Sequence, residues 1–113
     1  MVIHIRGDEI MIGNVPPIRE AYIPKGTNRP GYKLEATTLT IHNTANPSST
    51  AANERNWLVN PSNDRTASWH YAVDEKEAVI AVPVDEVAWH AGNRDGNYTS
   101  LSIEVCESGN QDI

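Results

Sequence analysis

The sequence predicts an α/β fold, and three observations carry that prediction. The β-branched run Thr37 to His42 is followed, after a turn-rich loop, by a helical stretch reaching about Val59. Two apolar runs, Ser68 to Val73 and Ala78 to Val82, flank the acidic turn Asp74-Glu75-Lys76-Glu77. Leu101 to Cys106 then alternates, with Leu101, Ile103 and Val105 on one face and Ser102, Glu104 and Cys106 on the other. With 113 residues the chain lies in the single-domain range, long enough to bury a modest core.

Val2 to Arg6 and Glu9 to Ile12 read as a hairpin at an edge, because Gly7-Asp8 between them suits a two-residue turn. From Gly13 to Lys33 the breakers Gly13-Asn14, Pro16-Pro17, Pro24, Gly26 and Asn28-Arg29-Pro30-Gly31 leave room only for a short strand near Ala21 to Ile23. That segment is expected to be an ordered arm or a wrap over the core. The organisation predicted is an N-terminal hairpin and arm over residues 1–19 and a main domain over 20–113.

Thr37 to His42 is expected to be a central strand, with Leu39 and Ile41 on one face and Thr38, Thr40 and His42 on the other. Ser48 or Ser49 can cap the helix that follows, whose inward residues would be Ala51, Ala52, Trp57 and Leu58 and which Asn60-Pro61 stops. In the hairpin around residues 74–77, His70 faces away from Trp69 and Tyr71. No internal repeat or low-complexity tract is present.

Composition narrows the function. A net charge of -6 and a pI near 5.0, with Lys25, Lys33 and Lys76 scattered, leave no basic footprint for phosphate backbones, so no nucleic-acid partner is expected. Mean hydropathy of -0.49 and the lack of a long apolar run exclude a membrane span of the helical kind. The start, Met1-Val2-Ile3-His4-Ile5-Arg6, has no basic segment leading into an apolar one, so no signal peptide is read and work outside the cell would require another exit route. Cys106 is the single cysteine and reads as a small buried hydrophobe. Asn97-Tyr98-Thr99 fits a glycosylation tripeptide, a pattern too short to weigh.

Four residues stand out chemically. His42 closes a strand just before a polar loop, where ligands and catalytic groups collect in α/β sheets. Glu104 sits mid-strand among apolar neighbours, where an ionised carboxylate is costly unless paired; a solvated edge strand is the plainer account. In the loop Ala88 to Asn97, Trp89 and His90 lie beside Gly92 and Gly96; small residues permit close backbone approach to a ligand and the indole offers an apolar wall. A surface loop with one buried anchor would explain the same residues. Asp85-Glu86 and Glu75 to Glu77 read as solvated charges. The imidazoles and the Glu104 carboxylate read as part of a hydrolytic zinc site. A catalytic zinc takes three protein ligands, and no tight His or Cys cluster follows Glu104 before Ile113, so the ligand set is expected to be incomplete.

Taken together, Ile23-Pro24, Asn28-Arg29-Pro30-Gly31-Tyr32, Thr40-Ile41-His42-Asn43-Thr44-Ala45-Asn46, Ser68-Trp69-His70-Tyr71-Ala72-Val73-Asp74, Ala88-Trp89-His90-Ala91-Gly92 and Ser102-Ile103-Glu104-Val105-Cys106 resemble the zinc-dependent N-acetylmuramoyl-L-alanine amidases of bacteriophage endolysins and bacterial autolysins, in the peptidoglycan-recognition-protein superfamily. The similarity covers about residues 20 to 108 in the family's order. It implies a mixed central β-sheet flanked by helices and lacking its C-terminal part, since the family's remaining zinc ligands lie beyond the position matching Ile113. It implies Zn2+ as cofactor with His42 as a ligand, and Glu104 as the catalytic acid/base. His90, Trp89, Ala91 and Gly92 would line the groove for the muropeptide stem, and His70 would be a further substrate contact. Some relatives carry a catalytic tyrosine where this chain has Trp69, so that role does not transfer. The implied activity is cleavage of the amide between N-acetylmuramic acid and L-alanine in the bacterial cell wall, by an enzyme that needs its missing segment for zinc. A peptidoglycan-binding module without catalysis is the alternative, and self-association through an uncovered sheet edge is a further expectation.

Overall fold

The computed structural model describes residues 3–6, 9–12, 17–44, 46 and 48–106. Strands β1 (Ile3–Arg6) and β2 (Glu9–Ile12) form the antiparallel hairpin expected, with Ile3 opposite Ile12 and Arg6 opposite Glu9; the turn pair Gly7-Asp8 lies outside the described residues. The main sheet has five strands: β3 (Ile18–Glu20), β4 (Thr38–Asn43), β5 (Tyr71–Val73), β6 (Ala78–Ile80) and β7 (Ser100–Val105), in the order β3-β6-β5-β7-β4. Only β5 and β6 run antiparallel; the β3–β6, β5–β7 and β7–β4 pairs are parallel, so the sheet is mixed.

The arm contributes more to the sheet than its breakers suggest. Its strand falls at Ile18–Glu20, slightly ahead of the expected 21–23, and the chain keeps bonding alongside β6 as the Ala21 and Ile23 amides donate to the Ile80 and Ala81 carbonyls. Ile23 ends fully buried, a burial that stabilises by about 1.5–3 kcal/mol. Arg29 then forks onto Glu86 through two bonds of 3.0 Å and donates to the Ile23 carbonyl, fixing the wrap over the core. Glu86 is therefore an ion-pair partner and not the solvated charge expected.

Helix α1 (Ala51–Trp57) follows β4 as predicted, but Thr50 is its cap, accepting from the Asn53 amide. Ser49 is instead buried and donates to the Glu54 carboxylate at 2.6 Å. The first helical amide, that of Ala51, is bonded by Asp74 Oδ2 from the β5–β6 turn at 2.8 Å. Asp74 also accepts from the Lys76 and Glu77 amides. Burial alone would push its carboxyl up, yet these three backbone donors outweigh that and hold it below the usual carboxylate range. Ala51 and Leu58 pack against Ala72, Val79 and Cys106, so α1 covers one face of the sheet. Trp57, expected inward, is 44% exposed.

β4 is an edge strand among the described residues and not the central one expected, since only β7 pairs with it. Register puts Leu39 beside Leu101 and Ile41 beside Ile103, which makes one apolar strip on the face away from α1. Leu39 is 63% and Ile41 69% exposed. The opposite face of the same strands, the polar one, is the enclosed one: Ser100 and Ser102 are buried there.

A second helix, α2 (Arg94–Thr99), was not expected from the turn formers Asn93 to Asn97. Asn93 caps it by accepting from the Gly96 amide at 2.7 Å, and a Cβ on Gly96 would sit 2.6 Å from that of Ala91. The absent side chain thus serves packing of α2 on the preceding loop. Gly92, at φ +73°, supplies the left-handed turn into the helix.

Candidate functional site

Parallel pairing of β4 with β7 sets His42 directly beside Glu104. Side chains of register partners share a face, and neighbouring strands are about 4.8 Å apart, so the two groups reach one cleft. That cleft has a volume of about 310 Å3; its walls include His42, Glu104, Trp69, Trp89 and His90, with Trp57 at its side. Glu54 and Arg65 supply further charge, and a neighbouring cleft of about 380 Å3 shares Leu58, Asn63 and Arg65 with it.

His90 comes from the loop before α2 and is held at several points. Its main-chain amide and that of Ala91 both donate to Asn97 Oδ1, at 2.9 and 2.8 Å. Its Nε2 donates to the Ser100 carbonyl at 3.2 Å, and its Nδ1 lies 3.3 Å from His42 Nε2. The Trp89 amide and carbonyl are both bonded to Ser68, its indole donates to the Thr27 carbonyl at 2.9 Å, and its ring completes a triangle with those of Tyr32 and Tyr98, centroids 6.2–6.3 Å apart.

Burial pushes the Glu104 carboxyl above its usual range; the His42 charge offsets this in part and Glu54 adds to it. Burial likewise lowers His90, against the bond to the Ser100 carbonyl, and the neighbouring His42 and His70 lower it further. A carboxyl raised above its usual range beside an imidazole is suited to taking up and releasing a proton.

His70 takes a different place from the one expected. It is 0% exposed, its Nε2 donates to the Glu86 carbonyl at 2.7 Å, and its Nδ1 accepts the Ser102 amide at 2.9 Å. Both nitrogens are thus spent on backbone, where the imidazole stands in for a strand at the end of β5, and no surface remains for a substrate contact. Ala91 and Gly92, expected to line the groove, are not among the walls of the cleft. Glu104 lies on an interior strand, half-buried, so the solvated edge does not apply.

Sequence reading missed Asn97, whose only motif was the glycosylation tripeptide; it is buried and holds the His90 loop. It also missed Trp57 and Arg65 as cleft walls, since nothing in their spacing marks them. Among the described residues no group of three His, Cys, Asp or Glu side chains could hold a metal ion. His42 and the carboxylate beside it fit part of a zinc site, and the described residues do not complete it.

The sequence profile described as N-acetylmuramoyl-L-alanine amidase matches residues 32–113. N-acetylmuramoyl-L-alanine amidase XlyA of Bacillus subtilis (strain 168) is 43% identical over 101 residues, which are 85% of this chain and 33% of that protein. CwlH of the same organism, also an N-acetylmuramoyl-L-alanine amidase, is 38% identical over 102 residues, 85% of this chain and 40% of its own length. The solved catalytic domain of XlyA superposes with a TM-score of 0.73 at 44% identity, over 80% of this chain and 61% of that one. The chain therefore spans about a third to two fifths of these curated relatives. With the profile matched over most of its length and His42 beside Glu104 in one cleft, the chain belongs to the N-acetylmuramoyl-L-alanine amidase family.

Proposed function

We propose that this chain carries the acid/base half of a peptidoglycan amidase, which hydrolyses the amide between the lactyl group of N-acetylmuramic acid and L-alanine at the bacterial cell wall. The observation that supports it most is the pairing of His42 with Glu104 at the floor of a cleft walled by Trp89 and His90. The stem of a muropeptide would lie along Trp89 and His90, with the Ala91-Gly92 turn setting the height of that wall. His42 would offer one nitrogen to Zn2+, with the other ligands drawn from outside the described residues. When bound, zinc would polarise the scissile carbonyl and lower the pKa of water to about 7.

The chain's own contribution is proton handling and exclusion of solvent. Glu104, its carboxyl raised by burial, accepts the proton of the attacking water and returns it to the departing amine of L-alanine. The indoles of Trp69 and Trp89 keep the reacting amide out of bulk water. Among the described residues no helix is long and apolar enough to cross a membrane, so the wall would be reached by some other means than a helical anchor in this segment.

The test uses this chain and a chimera in which it is continued by the remainder of the XlyA catalytic domain, both incubated with zinc and purified peptidoglycan. The chimera is expected to release new L-alanine amino termini without new reducing ends, while the chain alone binds zinc weakly and hydrolyses little. A folded, zinc-loaded chimera that sediments with peptidoglycan but releases no amine would replace this reading with that of a binding module.

A further inference from the structure

The contact between His42 and His90 carries information about which nitrogen of His42 is free. The Ser100 carbonyl can only accept, so His90 Nε2, 3.2 Å away, bears that ring's proton. A neutral imidazole has one N–H, which leaves His90 Nδ1 as a lone pair. His42 Nε2 stands 3.3 Å from that lone pair. If it too were unprotonated, two lone pairs would face each other across a half-buried gap with no proton between them.

We propose that His90 is the positioning residue for His42: its Nδ1 accepts the proton on His42 Nε2, which fixes the His42 tautomer and leaves His42 Nδ1 as the metal-competent nitrogen. That the freed nitrogen serves a metal rests on the amidase reading above; the ring-to-ring bond does not. His90 suits the task because its own freedom is spent: Asn97 holds its main chain, Ser100 its far nitrogen, and the ring meets the edge of the locked His70 ring at 6.2 Å between centroids. Metal-ligating histidines generally donate their second N–H to a carboxylate, a carbonyl or water, which orients the ring. An imidazole acceptor orients it without adding a negative charge next to Glu104, whose carboxyl is already hard to ionise. Distance alone does not separate this from a shared ion, because zinc at 2.0–2.1 Å from each of two nitrogens sets them about 3.3 Å apart in a tetrahedral site; the proton does.

The experiment is long-range 1H–15N correlation of the imidazole rings in the 15N-labelled chain, metal-free at pH 8 and then titrated with zinc. Wild type is expected to show both His42 and His90 as Nε2–H tautomers, with zinc shifting His42 Nδ1. His90→Ala should leave His42 as a tautomer mixture and weaken zinc binding by about tenfold or more. His90→Asn, whose Oδ1 restores an acceptor near the lost Nδ1, should recover the single tautomer and most of the affinity. His42 found with its proton on Nδ1, an unchanged tautomer in His90→Ala, or a zinc-induced shift of His90 Nδ1 itself would each overturn the proposal. If the tautomers behave as stated and zinc moves neither ring even in the chimera completed by the remainder of the XlyA catalytic domain, the positioning bond stands and the amidase reading falls.

Discussion

His42 and Glu104 are register partners on two parallel strands, one offering an imidazole and the other a carboxylate to the same cleft. Parallel pairing produces this without any loop having to bring the groups together, because side chains of partnered residues point to the same side. The spacing is then as rigid as the ladder beneath it.

Glu104→Gln separates chemistry from fold. In the chimera, hydrolysis of peptidoglycan should fall by about 10²–10⁴-fold, while binding to the wall is kept. The same substitution should raise stability at pH 7. Because the folded carboxyl titrates above its unfolded value, the folded state gains from protonation; that stability is fully present below about pH 4 and is lost as pH rises through the raised folded value. Thermal melts of wild type and Glu104→Gln should therefore converge at low pH and part near neutrality. Melts that stay parallel across this range would show that Glu104 is not desolvated.

Asp74→Ala is expected to cost about 2–3 kcal/mol, because three amides lose a charged acceptor and the one on Ala51 is buried. The sign of its pH dependence is opposite to that of Glu104. A depressed carboxyl stabilises above its unfolded value near 4 and ceases to do so as pH falls through the folded value. Urea unfolding at pH 7 and at pH 3 should show a large gap between wild type and variant in the first condition and a small one in the second.

Gly96→Ala tests the seat of the His90 loop. The added methyl would meet the Ala91 side chain at 2.6 Å, so the loop or α2 must shift, at a cost of about 1–3 kcal/mol. Chemical shifts of His90 and Asn97 should move in the variant, and urea unfolding should register the loss. Gly92→Ala meets no nearby atom and should act only through its positive φ.

Leu39 and Ile41 lie open beside Leu101 and Ile103 on the edge of the sheet. Self-association through this strip is the expected behaviour of the isolated chain. Sedimentation velocity should show dimers or larger species for wild type and a monomer for Leu39→Thr/Ile41→Thr, which places a β-branched strand former at both positions while removing apolar surface. A monomeric wild type at high concentration would remove this expectation.

Much of the fold was legible because its strands announce themselves locally. The paired apolar runs Val2 to Arg6 and Glu9 to Ile12, the β-branched run ending at His42 and the alternation from Leu101 to Cys106 each announce strands, and β1, β2, β4 to β7 and α1 all form near where they are expected. What local pattern cannot state is which strands become neighbours, so β4 was read as central although its apolar face alone, Leu39 and Ile41, is equally compatible with an edge. The polar residues were hardest. His42 and Glu104 could be singled out by a strand end before a polar loop and a mid-strand carboxylate, and His90 by its glycine-flanked loop, yet nothing in the sequence states that His70 has both nitrogens satisfied by backbone. Asn97 and Asp74 act through backbone amides far along the chain, and such partnerships leave no spacing to read. Helix α2 was hidden because a six-residue helix that opens Arg94-Asp95-Gly96-Asn97 has the composition of a turn.

The bond from Asp74 to the Ala51 amide also bears on the order in which the molecule can be built. A seven-residue helix is too short to persist in water by itself, and its buried first amide finds its acceptor 23 positions downstream. On a ribosome, the segment carrying His42 and α1 would emerge before the turn that completes it. The strand, loop and helix that look like a self-sufficient unit in the sequence are thus late-maturing, settled only once the hairpin of β5 and β6 has been synthesised and docked.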